Sequence, residues 1–204
     1  MSTLRDVDSS VAFVDSEIEK LVAALRELST PRYADQLVDI AAVVVASLRS
    51  NGRIFFCGNG GSAADSQHLA TEMLIRLRGS HERPSIAAIS LTLDPAMLTA
   101  CGNDYGYDSV FERPLRGLGR RGDVLFGIST SGRSANVVRA LAAAREMGIV
   151  TVGLLGGSGQ PALDHCDLSL LVPDDETARI QECHIALGHG LLELLEDRLV
   201  ARPL

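Results

Sequence analysis

An apolar run, Arg53-Ile54-Phe55-Phe56, passes through Cys57-Gly58-Asn59-Gly60-Gly61-Ser62-Ala63-Ala64 into a helical pattern that carries His68 and Glu72. The same order recurs at Val124-Leu125-Phe126-Gly127-Ile128, followed by Ser129-Thr130-Ser131-Gly132 and another helical stretch. A chain that repeats strand, short polar turn and helix is confined to parallel strands joined by crossover helices. A strand running through glycines into a helix also gathers unpaired backbone N–H groups at the positive end of the helix dipole. That is a seat for an anion, most often a phosphate. Two such loops predict a phosphorylated small molecule held beyond the carboxyl ends of the sheet.

The alternation continues along the chain. Strand-like runs fall at 54–57, 86–90, 124–129, 150–155 and 168–172, and helical patterns at 62–77, 110–118, 134–147 and 178–199, with a shorter one at 95–100. The expected architecture is α/β: one doubly wound, flavodoxin-like parallel sheet of five strands with helices on both faces. Two further helical patterns, at 9–28 and 33–48, precede the first strand. A small sheet cannot cover both, so part of their apolar surface is expected to meet another subunit. The reading divides the chain into a helical segment, 1–50, that packs in an oligomer and a ligand-binding unit, 51–204, within one structural domain. No repeat or linker interrupts it.

Charge and composition exclude other classes. No run reaches the roughly 18 apolar residues of a membrane span, and residues 1–10, with Arg5, Asp6 and Asp8, lack the layout of a leader peptide. A cytoplasmic protein with no membrane partner is expected. A net charge of −7 with scattered basic residues argues against a nucleic-acid surface. It leaves a phosphate ligand open, because oriented backbone N–H groups need no net positive charge. Cys57, Cys101, Cys166 and Cys183 show no paired spacing and are expected to be reduced and mostly buried.

Several motifs carry chemistry. Gly58-Asn59-Gly60-Gly61-Ser62-Ala63 also fits the dinucleotide pattern G-x-G-x-x-A. That reading requires an acid at the end of the second strand, and Asp94 lies only beyond Ser90-Leu91-Thr92. Ser129, Thr130, Ser131 and Ser134 place four hydroxyls in six residues, of which a helix cap explains one. His68 and Glu72, at i and i+4, share a helix face beside the first loop, as a metal-ligand or acid–base unit would. In the last helix Gln181, His184 and His189 stand in an apolar setting and need partners or a task. Spacing does not select between the two histidines. Asn103-Asp104 reads as a turn offering an amide and a carboxylate to a polyol. His81 and His165 read as surface residues.

Taken together, CGNGGSAADSQHLATE (57–72), SLTLDPAMLTACGNDYGYDSVF (90–111), GDVLFGISTSGRSANV (122–137) and TARIQECHIALGHG (177–190) resemble the phosphoheptose isomerase family of the sugar-isomerase (SIS) fold. The resemblance runs from the first helix to the last. It implies sugar-phosphate contacts at Asn59, Gly60, Gly61, Glu72, Asn103, Asp104, Ser129, Thr130, Ser131, Ser134 and Gln181. It implies one zinc per subunit on His68, Glu72, Gln181 and His189, so that His189 is taken over His184. It also implies a homotetramer whose N-terminal helices help build the core of the assembly. Arg133 departs from the family pattern, which has Asn more often, and is expected to alter phosphate affinity more than chemistry.

The implied reaction is an aldose–ketose isomerisation, from D-sedoheptulose 7-phosphate to D-glycero-D-manno-heptose 7-phosphate through an enediol. This would be the first step towards nucleotide-activated heptose, with Glu72 as base and His189 as acid. Two alternatives stand beside it. One is a non-catalytic SIS module of the replication-initiator-associating kind, which lacks the full acidic and imidazole set. The other is an isomerase of a different sugar phosphate.

Overall fold

The strands form because β-branched and aromatic residues alternate between two buried faces. The computed structural model describes residues 7–201, so residues 1–6, on which part of the leader reading rests, and 202–204 lie outside it. Five strands, β1 (Ile54–Gly58), β2 (Ala88–Ser90), β3 (Val124–Ser129), β4 (Val150–Gly156) and β5 (Leu168–Val172), make one sheet in the order β2-β1-β3-β4-β5. Every pairing is parallel, with Ile54 opposite both Ala88 and Val124. Strand order reverses between β1 and β3, the point at which an open α/β sheet leaves a crevice for a ligand.

Helices α1 (Val7–Leu28), α2 (Pro31–Arg49), α3 (Gly61–Leu74) and α7 (Thr177–Ala201) contribute to one core with Ile54, Phe56, Val124, Phe126 and Leu154. Helices α4 (Pro95–Tyr105), α5 (Glu112–Leu118) and α6 (Ala135–Met147) contribute to the other with Phe55, Cys57, Leu125 and Leu155. Neighbouring residues of β1 thus serve opposite layers. Phe56 stacks on Phe126 across the β1–β3 pair at 5.0 Å between ring centroids, beneath the crevice. Short 3-10 turns occupy Tyr107–Ser109 and Ala162–His165.

Two elements differ from the sequence expectation. Helix α3 ends at Leu74, not near residue 77. The Leu77 N–H, which would have continued it, donates instead to Glu196 Oε1 at 3.1 Å. Helix α4 runs on to Tyr105 and contains Asn103 and Asp104, so these residues form no turn. Asp94 starts that helix, accepting from the N–H groups of Ala96 and Met97 at 2.9 and 3.1 Å. That cap gives Asp94 a structural task and removes it further from the dinucleotide reading.

Much of α1 stands away from the body. Ala24 and Leu28 are buried, while Val11, Phe13, Val14 and Ile18 are each more than half exposed. Among the described residues no helix is long and apolar enough to cross a membrane.

Candidate active site

The first anion loop leaves the end of β1. Asn59 and Gly60 make the turn, and Gly60, with φ 57°, is the N-cap of α3. Its carbonyl accepts from the N–H groups of Ala63 and Ala64 at 3.1 and 3.2 Å, and nothing occupies the space where a Cβ on Gly60 would lie. The helix has no side-chain cap, so the N–H groups of Gly61 and Ser62 at its start have no partner within the helix. Gly61 serves a different end: a Cβ there would fall on the amide of Gln181 from α7. The amide is thereby laid directly over the loop.

The second loop follows β3. Ser134 is the N-cap of α6 but its side chain makes no cap hydrogen bond; its Oγ lies 3.3 Å from Ser129 Oγ. Ser129 Oγ also accepts from Gly132 N at 3.1 Å, and Ser131 Oγ accepts from Arg133 N at 3.2 Å. The hydroxyls therefore shape the loop while its outer edge stays open. A cavity of about 330 Å³ lies there, lined by Thr130, Ser131, Arg133, Gly157, Ser158 and Asp174 among others. Arg133, the departure from the family pattern, borders this polar space with an exposed side chain.

The two loops are joined by a reciprocal amide pair. Asn59 Nδ2 donates to Asn136 Oδ1 at 2.8 Å, and Asn136 Nδ2 donates to Asn59 Oδ1 at 2.9 Å. Tyr107 Oη donates to the same Asn59 oxygen at 3.0 Å. Asn59 therefore reaches the crevice through its backbone, its side chain being engaged by a neighbour. Neither Asn136 nor Tyr107 was singled out from the sequence. Asn103 and Asp104 are exposed in the last turn of α4, and Asn103 donates to Asp104 Oδ1 at 2.8 Å. The contact of this segment with the first loop is made by Tyr107.

Helices α3 and α7 meet closely at Gly188, where a Cβ would come within 2.8 Å of Leu69 Cδ2. The next residue along α7 is His189, and the one before Leu69 is His68. Their Nε2 atoms lie 2.8 Å apart with the rings at 64°, so one ring donates and the other accepts. Glu72 Oε1 is 3.8 Å from His68 Nε2. The structure thus brings His68, Glu72 and His189 together beside the first loop. His184 goes elsewhere: it is buried, with Nε2 donating to Leu155 O at 3.0 Å. Helix geometry alone left these two histidines equivalent.

Asp65, one turn before His68, is also buried, and one of its oxygens has no hydrogen-bond partner among the described residues. Burial raises its carboxyl above the usual range, against the opposing pull of a hydrogen bond with Gln181 and the nearby His68 ring. Imidazole nitrogen and carboxylate oxygen, as on His68, His189 and Glu72, are donors that zinc takes. Among the described residues no group of three or more His, Cys, Asp or Glu already stands in a ligating arrangement. His81 packs partly buried near Asp197, at 3.5 Å, and His165 ends a 3-10 turn.

A sheet of this order is the flavodoxin-like arrangement, and the SIS domain family model, matching residues 18–156, makes this one an SIS domain. A phosphoheptose isomerase of Roseiflexus sp. (strain RS-1) is 48% identical over 192 residues, covering 94% of this chain and 96% of its own. The structure of phosphoheptose isomerase from Neisseria gonorrhoeae superposes with a TM-score of 0.84 at 40% identity, over 94% of this chain and all (100%) of the other. That of a phosphoheptose isomerase from Francisella tularensis gives 0.86 at 33% identity, over 92% and 98%. The chain belongs to the phosphoheptose isomerase family.

Proposed function

We propose that this protein is an aldose–ketose isomerase that converts D-sedoheptulose 7-phosphate to D-glycero-D-manno-heptose 7-phosphate. The observation that carries the reading is the convergence of Glu72, from α3, and His189, from α7, on His68 beside the glycine loop at the switch point. Moving the carbonyl from C2 to C1 requires a proton to leave C1 and another to reach C2 through an enediol. Glu72 takes the C1 proton as general base, and His189 supplies and removes protons on the neighbouring atoms as general acid. The loops at 59–61 and 129–134 hold the phosphate at the far end of the sugar. Binding energy realised there fixes the reacting carbons against the acid–base pair. Gln181, laid over Gly61, contacts the sugar between the two ends, and Asn103 and Asp104 approach the polyol from α4.

Zinc belongs to the same proposal. His68, Glu72, Gln181 and His189 would hold it, and when bound it would polarise the sugar carbonyl and stabilise enediolate charge. The protein is further proposed to work as a homotetramer, with the exposed apolar side of α1 in the assembly. It is placed in the cytoplasm, where its four unpaired thiols stay reduced.

The test is incubation with sedoheptulose 7-phosphate and zinc, following the aldose product, for the wild type and for Glu72→Gln and His189→Gln. Product from the wild type and none from either folded variant is the expected result. Near-normal rates in a variant would remove the assigned role. A wild type that makes no heptose phosphate but isomerises another sugar phosphate would move the substrate. One that isomerises nothing and binds a protein partner tightly would favour the non-catalytic module.

A further inference from the structure

Helix α3 stops two residues past Glu72. The carbonyls of Glu72 and Met73 therefore belong to its open end, where no following turn supplies N–H groups. Arg83 reaches both, donating Nη2 to Glu72 O at 2.7 Å and Nη1 to Met73 O at 2.9 Å, where the Ile86 N–H also donates at 3.1 Å. Its Nε donates to Glu196 Oε1 at 3.0 Å. The Arg83 and Glu196 side chains are 4% and 2% exposed, so this ion pair is enclosed by protein. Glu196 is held in turn by the Leu77 N–H at 3.1 Å and Arg78 Nε at 3.0 Å.

Glu196 follows His189 by seven residues on α7, two turns along nearly the same face. The guanidinium therefore spans from the backbone of Glu72 to the helix that carries His189. An exposed or glycine-capped helix end would satisfy the carbonyls without a charge. A buried ion pair is in general no more stabilising than well-packed apolar residues of the same volume. What the pair adds at this junction is geometry: the planar fork of an arginine fixes two carbonyls and one carboxylate at once, which a lysine ammonium cannot do.

We propose that Arg83, braced by Glu196, is a positioning residue that sets the Glu72 carboxylate against the His189 imidazole. This rests on the reading of Glu72 as the general base. Arg83 touches neither reacting carbon, and its effect on turnover passes through the backbone of residue 72.

The experiment compares full-length wild type, R83M, R83K and E72Q, each checked for folding by circular dichroism and gel filtration, with sedoheptulose 7-phosphate as substrate. Expected are a fall in kcat of about tenfold or more in R83M with KM kept within about twofold, and a smaller fall in R83K. Lysine keeps the charge opposite Glu196 but cannot hold both carbonyls. A merely structural role would lower the melting temperature and leave kcat per folded molecule unchanged, and that result overturns the inference. So does a rise in KM with kcat retained. If R83M does not fold, R83K decides on the same criteria; an R83K protein that also fails to fold overturns it, since the pair would then serve the fold alone. E72Q separates the two levels. Full turnover in E72Q removes the reading of Glu72 itself, whereas an inactive E72Q beside fully active Arg83 variants removes only the positioning role.

Discussion

Asn59 and Asn136, 77 residues apart, exchange two amide hydrogen bonds and so fix the glycine loop after β1 against the first turn of α6. Asn136 is 3% exposed, so its own amide is shielded from water, while Asn59 is half-buried at the rim of the crevice. A ligand that bridges the two loops meets them already held at a set separation.

Asn136→Ala should therefore weaken both the fold and the binding of substrate. The two amide hydrogen bonds contribute about 0.5–1.5 kcal/mol each, and KM for the sugar phosphate should rise more than kcat falls. Denaturant unfolding and steady-state kinetics on N136A, N59A and the double variant measure the coupling. Strict additivity of the two single changes would mean that the amides act independently.

Gly61 and Gly60 should respond differently to alanine, although they are adjacent. A Cβ on Gly61 occupies the place of the Gln181 amide, so Gly61→Ala should displace that amide and lower kcat/KM by about tenfold to a hundredfold, with the fold kept. A Cβ on Gly60 meets nothing, and its penalty is the backbone, whose φ of 57° and ψ of −120° suit glycine, about 1–3 kcal/mol of stability. Kinetics and melting curves on both variants check the contrast. Equal losses of activity would show that Gln181 has no special place at the loop.

The fold was legible in the sequence because its signals are local. Short continuous apolar runs mark β1, β3 and β4 to within one residue, and glycine and serine loops mark the ligand edge of the sheet. His68 and Glu72 were legible for the same reason, one turn of helix. The contacts that set the site are not local. Asn136 and Tyr107 meet Asn59, and Arg83 meets Glu196, only after the chain has crossed the sheet, and nothing in their neighbours distinguishes them from ordinary polar residues. Asn103-Asp104 has turn composition but continues α4, because the Asp94 cap and Pro95 start a helix that stops only at Gly106, with φ 81°. His184 and His189 share one helix, and only the close approach at Gly188 separates the core residue from the site residue.

His184 makes stability depend on pH with a definite sign. It is 1% exposed; Nε2 donates to Leu155 O, and Nδ1 has no partner among the described residues. Burial pushes its pKa down to about 4, against the smaller opposing effect of the Leu155 carbonyl. In the unfolded chain the ring takes a proton near pH 6.5. Stability linked to this ring is thus fully present above about pH 6.5 and is lost as pH falls through about 4, because between those values the unfolded state holds the extra proton. His184→Gln keeps a donor for Leu155 and does not titrate. Between pH 7 and 4.5 the wild type should lose about 2–3 kcal/mol more than H184Q. Unfolding curves at fixed protein concentration measure the difference, and parallel losses would contradict it.

The first half of α1 tests the proposed assembly. Phe13 is 66% exposed and Val11, Val14 and Ile18 are each above 50%, on a helix whose buried anchors, Ala24 and Leu28, lie in its second half. A two-turn apolar stretch with no cover has little reason to remain helical in water, since packing of an apolar face supplies most of a helix's stability. Burial of each such side chain against another copy contributes about 1.5–3 kcal/mol, repeated at every symmetry-related contact. Phe13→Asp with Ile18→Asp should therefore dissociate the tetramer in sedimentation velocity and shorten the helix by circular dichroism. The β1–β3 core should stay intact, because neither residue touches it. A double variant that still sediments as the wild type would take this face out of the interface.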